Sequence, residues 1–256
     1  MDFGISTMGL LVGLLVGLTG VGGAALLTPV LLFMGIHPSI AVGTDLLYNS
    51  VTKLFGTIQH TRLKTVNWKL VGYFAMGSIP GAVVAIGLLK VYSVYFDQQE
   101  QLLKQALGVM LVIVSVVTLL KVWLDRRFSQ KEPAEHDSGN NEKRGLTIAV
   151  GFALGFVVGL TSIGSGSLFA IALIYLFKLK GSQVVGTDIA HAFFLVTAAG
   201  LLHAGLGHVD FMLALNLLMG SVPGVLIGSN LSARMPTGAL RAIMASIIFI
   251  SGINLL

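Results

Sequence analysis

The chain has 256 residues, of which 55% are hydrophobic and only 11% charged, with a net charge of +5, a mean hydropathy of +0.89 and no cysteine. Soluble domains carry about a quarter charged residues, so this composition describes an integral membrane protein built of helices. It also excludes disulfides, thiolate metal sites and cysteine nucleophiles. The basic residues flank apolar runs rather than clustering on a soluble face, which argues against nucleic acid as a partner and for the lipid bilayer.

The N-terminus, Met1-Asp2-Phe3-Gly4, lacks the basic n-region of a secretory signal, and no targeting peptide is expected. Eight apolar segments follow, at residues 5–34, 40–58, 70–89, 102–124, 146–177, 184–202, 211–231 and 240–256. Most are near the roughly 20 residues that a spanning helix needs. The first and fifth are longer, and each is interrupted: the first by Thr19-Gly20-Val21-Gly22-Gly23, the fifth by Thr161-Ser162-Ile163-Gly164-Ser165-Gly166. Irregular backbone cannot face lipid, so both breaks must be buried in protein or line a polar cavity.

The two halves are copies. Gly9, Gly13 and Gly17 recur as Gly151, Gly155 and Gly159, and Val16, Leu18, Thr19, Gly22 and Leu26 recur at the same offset. One residue further in offset, Val42-Gly43-Thr44-Asp45 matches Val185-Gly186-Thr187-Asp188, His60 matches His203, and Met76 to Gly81 matches Met219 to Gly224. The chain therefore divides into a repeat at 1–124, a polar linker at 125–145 and a second repeat at 146–256, each with four apolar segments.

If all eight segments crossed, the repeats would be parallel and their Lys and Arg would split nearly evenly between the two sides. If segments one and five are instead re-entrant, Arg62, Lys64, Lys69, Lys121, Arg126, Arg127, Lys131, Lys143, Arg144, Lys178, Lys180, Arg234 and Arg241 share one side, against Lys90 and Lys104 opposite. The positive-inside rule favours the second arrangement. The expected fold is thus an all-α membrane protein of two inverted repeats, each opening with a broken or re-entrant helix, with a cytoplasmic linker and both termini outside.

Inverted repeats with interrupted helices are a common build of secondary transporters. A half-helix starting after Gly23 or Gly166 presents unpaired N–H groups and the positive end of its dipole, which suits a small anion. Thr19, Thr161, Ser162 and Ser165 can add hydroxyls; Gly20, Val21, Gly22, Gly164 and Gly166 complete the two tips. Gly9, Gly13 and Gly17 read as a helix-packing stripe. Asp45 and Asp188 lie about two turns inside their spans, where a carboxylate is costly and defaults to function, with capping of the neighbouring break as the structural alternative. Asn49 adds a polar group beside Asp45. Lys53 has no counterpart, since Val196 holds its place; it can pair with Asp45 or meet the anion. His191 follows Asp188 by one turn, and His60 and His203 are proton-relay candidates at span ends. Segments four and eight, nearly free of polar groups, read as lipid-facing supports, and Pro80 and Pro223 as bends.

The run from Gly17 to Pro29, followed by Ala41-Val42-Gly43-Thr44-Asp45, resembles the sulfite exporter TauE/SafE family of membrane permeases, and the resemblance covers nearly the whole chain. It implies transport, often export, of sulfite or organosulfonates such as sulfoacetate across the cytoplasmic membrane of a prokaryote. The family's glycine motif falls on Gly20, Gly22 and Gly23, and its acidic position on Asp45 and Asp188. The second half departs from the pattern at Ile171, which stands for Pro29, and at Ser165, which replaces a glycine.

The expectation is a secondary transporter that moves a small sulfur-containing anion by alternating access. No Walker A motif is present, and no cofactor or metal is expected. A homo-oligomer is compatible with the sequence. Two other classes compete: an intramembrane enzyme using Asp45 with His60 or Asp188 with His191, and an anion channel of similar architecture.

Overall fold

The computed structural model describes residues 3–19, 23–95, 99–127, 144–164, 166–177, 179, 181–232 and 237–256. Ten helices lie among them: α1 (Phe3–Thr19), α2 (Ala24–Phe33), α3 (Pro38–Arg62), α4 (Trp68–Tyr95), α5 (Gln99–Arg127), α6 (Arg144–Thr161), α7 (Ser167–Phe177), α8 (Gly181–Gly205), α9 (Phe211–Ser232) and α10 (Thr237–Leu255). Each of the two long apolar segments is a pair of helices, α1 with α2 and α6 with α7. Helix α5 runs on through Arg127, past the start of the polar stretch.

Five helices or parts of them, within α4, α5, α6, α8 and α9, are long and apolar enough to cross a membrane. Helix α3 has the length, 25 residues, but Asp45, Lys53 and Arg62 dilute its apolar character. That dilution marks it as an inner helix, and Ala41, Val42, Thr44, Asp45 and Leu46 are all fully buried.

The dominant packing joins the halves rather than each half to itself. α1 lies on α9, α6 on α4, α5 on α10 and α3 on α8. The first two contacts are made by glycine. A Cβ on Gly13 would lie 2.7 Å from the Ser221 Cα, and one on Gly155 would lie 2.6 Å from the Ser78 carbonyl carbon. Gly9, Gly151 and Gly159 meet Leu217, Phe74 and Ala82 in the same way, and Gly77, Gly81, Gly220 and Gly224 return the contact from the other side. Bilayer interiors offer little hydrophobic drive between helices, so such backbone-close approach supplies the association.

Direction follows from which residues meet. Along α1 and α9 the pairs Gly9–Leu217 and Gly13–Ser221 advance together, so these helices are parallel, as are α6 and α4. Along α3 and α8 the order reverses: Gly200 meets Leu47, Ser50 bonds Thr197 at 2.7 Å, and Gly56 meets Ile189. These two are antiparallel. So are α5 and α10, where Gly108 meets Leu256 while Gly252 meets Val112. α5 and α10 are covered by each other on one face and expose Val109, Ile113, Val116, Ile243, Ile247 and Ile250 on the other, as supports at a lipid boundary should.

Candidate functional site

The break in the second half is set by two residues in left-handed conformation, Ser162 at φ 59° and Gly164 at φ 98°. A right-handed helix cannot continue through them, and Ser162 is strained where Gly164 is not. Thr161 closes α6: its hydroxyl donates to the Val157 carbonyl at 2.8 Å and accepts from the Ile163 amide at 3.3 Å. In the first half α1 ends at Thr19 and α2 begins after Gly23, which carries no side-chain cap. Gly20, Val21, Gly22 and Ser165 lie outside the described residues, as does the Thr19 side chain.

Ser162 holds its costly conformation because its side chain is anchored. Its hydroxyl donates to Asp45 Oδ2 at 2.5 Å, joining a carboxylate of the first half to the break of the second. Thr28 of α2 donates to the same oxygen at 3.0 Å and lies 3.0 Å from Ser162 Oγ. Asn49 Nδ2 donates to Asp45 Oδ1 at 2.8 Å and to the Asp45 carbonyl at 2.9 Å. Asp45 is fully buried. Among the described residues, three side-chain donors meet its cost of burial.

Asp188 sits at the mirrored place with different company. Its Oδ2 lies 3.7 Å from where a Cβ on Gly166 would be, which sets the carboxylate against the start of α7. Lys53, partly buried, is on the face of α3 toward α8, between the Ser50–Thr197 bond and the Gly56–Ile189 contact. Its charge couples to Asp188 first and to Asp45 second. His191 is buried, with Nε2 2.8 Å from Ser78 Oγ and its ring centroid 4.1 Å from that of Phe169 on the first turn of α7. Asp45, Lys53, Ser162, Gly166, Asp188 and His191 thus gather around the second break, and Asn49 joins Asp45 to the start of α2, its Oδ1 3.1 Å from where a Cβ on Gly23 would be.

His60 and His203 stand apart from that group, as fasteners of span ends. His60 Nδ1 is 2.9 Å from Thr65 Oγ1, and His203 Nε2 is 3.0 Å from the Gly159 carbonyl. The repeated Gly-Thr before each aspartate also has a structural use. Gly43 and Gly186 let the connection of the other half press against them, at His208 and Thr65. Thr44 and Thr187 hydroxyls accept from the Asp210 and Asn67 amides at 3.0 Å, and those two residues cap α9 and α4. In the connection before α9, burial, with the charge of His37 adding to it, holds His208 below the ordinary histidine value.

Sequence reading missed Ser78 and Ser221. Ser78 bonds His191, while Ser221 faces the Tyr48 hydroxyl without closing a bond of good geometry. The signal was present in the duplication, because Tyr48 and His191 occupy equivalent positions, as do the two serines beside Pro80 and Pro223.

A family model described as "Sulfite exporter TauE/SafE" matches residues 5–255. A "Probable membrane transporter protein YjnA" of Bacillus subtilis is 59% identical over the full length of both chains. A second from the same organism, "Probable membrane transporter protein YunE", is 27% identical over 97% of this chain and 95% of its own. One from Methanocaldococcus jannaschii, "Probable membrane transporter protein MJ0441", is 22% identical over 97% and 93%. No solved structure matches.

Proposed function

Since the chain belongs to the sulfite exporter TauE/SafE family, we propose that it is a secondary transporter of small sulfur-containing anions, sulfite or a short sulfonate, working by alternating access between two inverted repeats. The observation that carries this reading is the convergence of an interrupted helix of one half, Asp45 of the other and Lys53 on one buried centre. A buried carboxylate–lysine group beside a helix start, in a chain of apolar helices, is a place where an ion is met within the bilayer.

Antiparallel packing of equivalent helices supports the inversion. α3 and α8 are copies and run opposite ways, and so do α5 and α10. The re-entrant reading of the first segment follows from the same directions. α1 is parallel to α9, α9 returns from α8 through a short connection, and α8 opposes α3, so α1 and α3 run the same way. α2 opposes α3, since Thr28 meets Asp45 while Gly23 meets Asn49. The chain therefore turns back between α1 and α2. With the basic connections on the inner side, the linker is cytoplasmic, both termini are outside, and the site opens in turn to each face of the cytoplasmic membrane.

The positive ends of α2 and α7, together with Lys53, provide the attraction for the anion. The test is uptake of labelled sulfite and methanesulfonate into proteoliposomes, with nitrate as control and with and without a pH gradient. Saturable, protein-dependent flux of the sulfur anions supports the reading, and any dependence on the gradient identifies protons as the coupling ion. Flux of none of them rejects it. Conversion of the anion to a new compound would instead favour the intramembrane enzyme.

A further inference from the structure

The halves share a backbone plan but differ where the anion would be met. Around Asp45, Thr28, Asn49 and Ser162 fill the carboxylate's acceptor sites. Their sequence counterparts in the repeat are Ala170, Ala192 and Gly20, none of which has a side-chain donor. Where the first half has Tyr48, the second has His191, and Lys53 answers to Val196.

Ser78 Oγ has one hydrogen-bond partner among the described residues, His191 Nε2, and the pair closes with either group as donor. In the arrangement in which the Ser78 hydroxyl donates, Nε2 is the acceptor and Nδ1 carries the N–H, on the edge of the ring away from Ser78. That Nδ1 is buried in a residue 1% exposed and meets no acceptor among the described residues. A buried donor left unmet costs about 1–3 kcal/mol, which an arriving acceptor would recover. Phe169 at 4.1 Å and Phe74 at 5.6 Å hold the ring in place. Phe169 is on the first turn of α7, an 11-residue helix whose opening amides have no acceptor within the helix. Asp188 reaches the same helix start, and the Lys53 charge couples to both Asp188 and His191.

Resting on the transport reading above, we propose that the anion is received at the second break alone: His191 Nδ1–H, the Lys53 ammonium reaching in from α3 and the first amides of α7 bind its oxygens, while the Asp45 cluster is a structural tie. Asp188, against the α7 start and coupled to the Lys53 charge, holds the place the substrate's charged group would take. The arriving anion takes over those contacts, and Asp188 moves aside. The site fits a compact oxyanion with at least two acceptor oxygens, and the Phe74 and Phe169 rings give a short alkyl group a wall to lie on.

The proposal is tested with protein carrying 15N-histidine in lipid nanodiscs, titrated with sulfite and then with methanesulfonate. The His191 signal, assigned by its loss in His191→Gln, is expected to shift saturably with each. In proteoliposomes His191→Phe and Lys53→Met are expected to cut sulfite uptake about tenfold or more, while Tyr48→Phe at the mirrored position stays within about twofold, because no anion contact is assigned to it. The titration on unaltered protein stands even if a variant fails to fold. Sulfite transport by the unaltered protein with a still His191 signal, or with uptake lost in Tyr48→Phe and kept in His191→Phe, overturns the one-sided site and leaves the transport reading intact. No uptake and no shift with either anion removes both.

Discussion

Asp45→Ala isolates the tie between the halves. The substitution removes the acceptor of three side-chain hydrogen bonds, from Ser162 at 2.5 Å, Thr28 at 3.0 Å and Asn49 at 2.8 Å. Not all of that is lost, since Thr28 and Ser162 remain 3.0 Å from each other and Asn49 keeps the residue-45 carbonyl at 2.9 Å. Hydrogen bonds to a charged group contribute about 1.5–3 kcal/mol each, and interhelical ones in bilayers nearer 0.6–2, so the net cost is about 2–5 kcal/mol. For a chain of this size each kcal/mol moves the unfolding midpoint by roughly 2–4 °C, so Asp45→Ala should melt about 5–15 °C below the unaltered protein. Asp45→Asn should fall between the two, because an amide oxygen can still accept from Asn49 while one hydroxyl proton loses its acceptor. The assay is thermal unfolding followed by size-exclusion fluorescence in a mild detergent. A double-mutant cycle with Ser162→Ala should show coupling of about 1–2 kcal/mol. Asp45→Ala melting within about 2 °C of the unaltered protein would refute the tie.

Three further outcomes follow from the same structure. Gly155→Ala drives a methyl into the Ser78 backbone, with Cβ 2.6 Å from its carbonyl carbon, and should cost about 1–3 kcal/mol or more by the same melting assay. Gly72→Ala, with nothing within 4 Å, should be neutral or stabilise by up to about 1 kcal/mol; equal losses in both would contradict the packing argument. Gly164→Ala places a side chain at φ 98°, so it should destabilise by about 1–2 kcal/mol and reduce sulfite uptake; unchanged uptake would separate the tip from transport. Single cysteines at positions 93 and 138, in a chain that has none, should be labelled from opposite membrane faces, and labelling of both from one face would reject the inverted arrangement.

Much of this organisation was legible because duplication writes the same physics twice. The matched breaks announced α1–α2 and α6–α7, and the glycine stripes announced helices in backbone contact. Other features depend on contacts that no local pattern encodes. Ser162 and Asp45 are 117 positions apart, and their bond exists only because α6 is laid on α4 while α3 crosses α8. Thr28 and Ser162 as donors to Asp45 are likewise set by packing between segments, whereas Asn49 lies one turn along the same helix. Lys53 was expected beside Asp45 from helical spacing alone, yet α8 brings Asp188 as the stronger influence. The repeated Gly-Thr before each aspartate is a seat for a loop of the opposite half, which only the packing reveals. Two differences between the copies, Lys53 for Val196 and His191 for Tyr48, lie near the second break, where the Lys53 charge couples to Asp188 and His191.

Counterflow is the most direct measurement of the central claim that the start of α7 and Lys53 form an anion site reached alternately from each side. Proteoliposomes loaded with unlabelled sulfite and diluted into a trace of labelled sulfite should accumulate label transiently above its outside level. The accumulation should vanish in Lys53→Met. Label that only equilibrates, with no overshoot in well-folded protein, would mean a channel or no sulfite site, and would contradict the account.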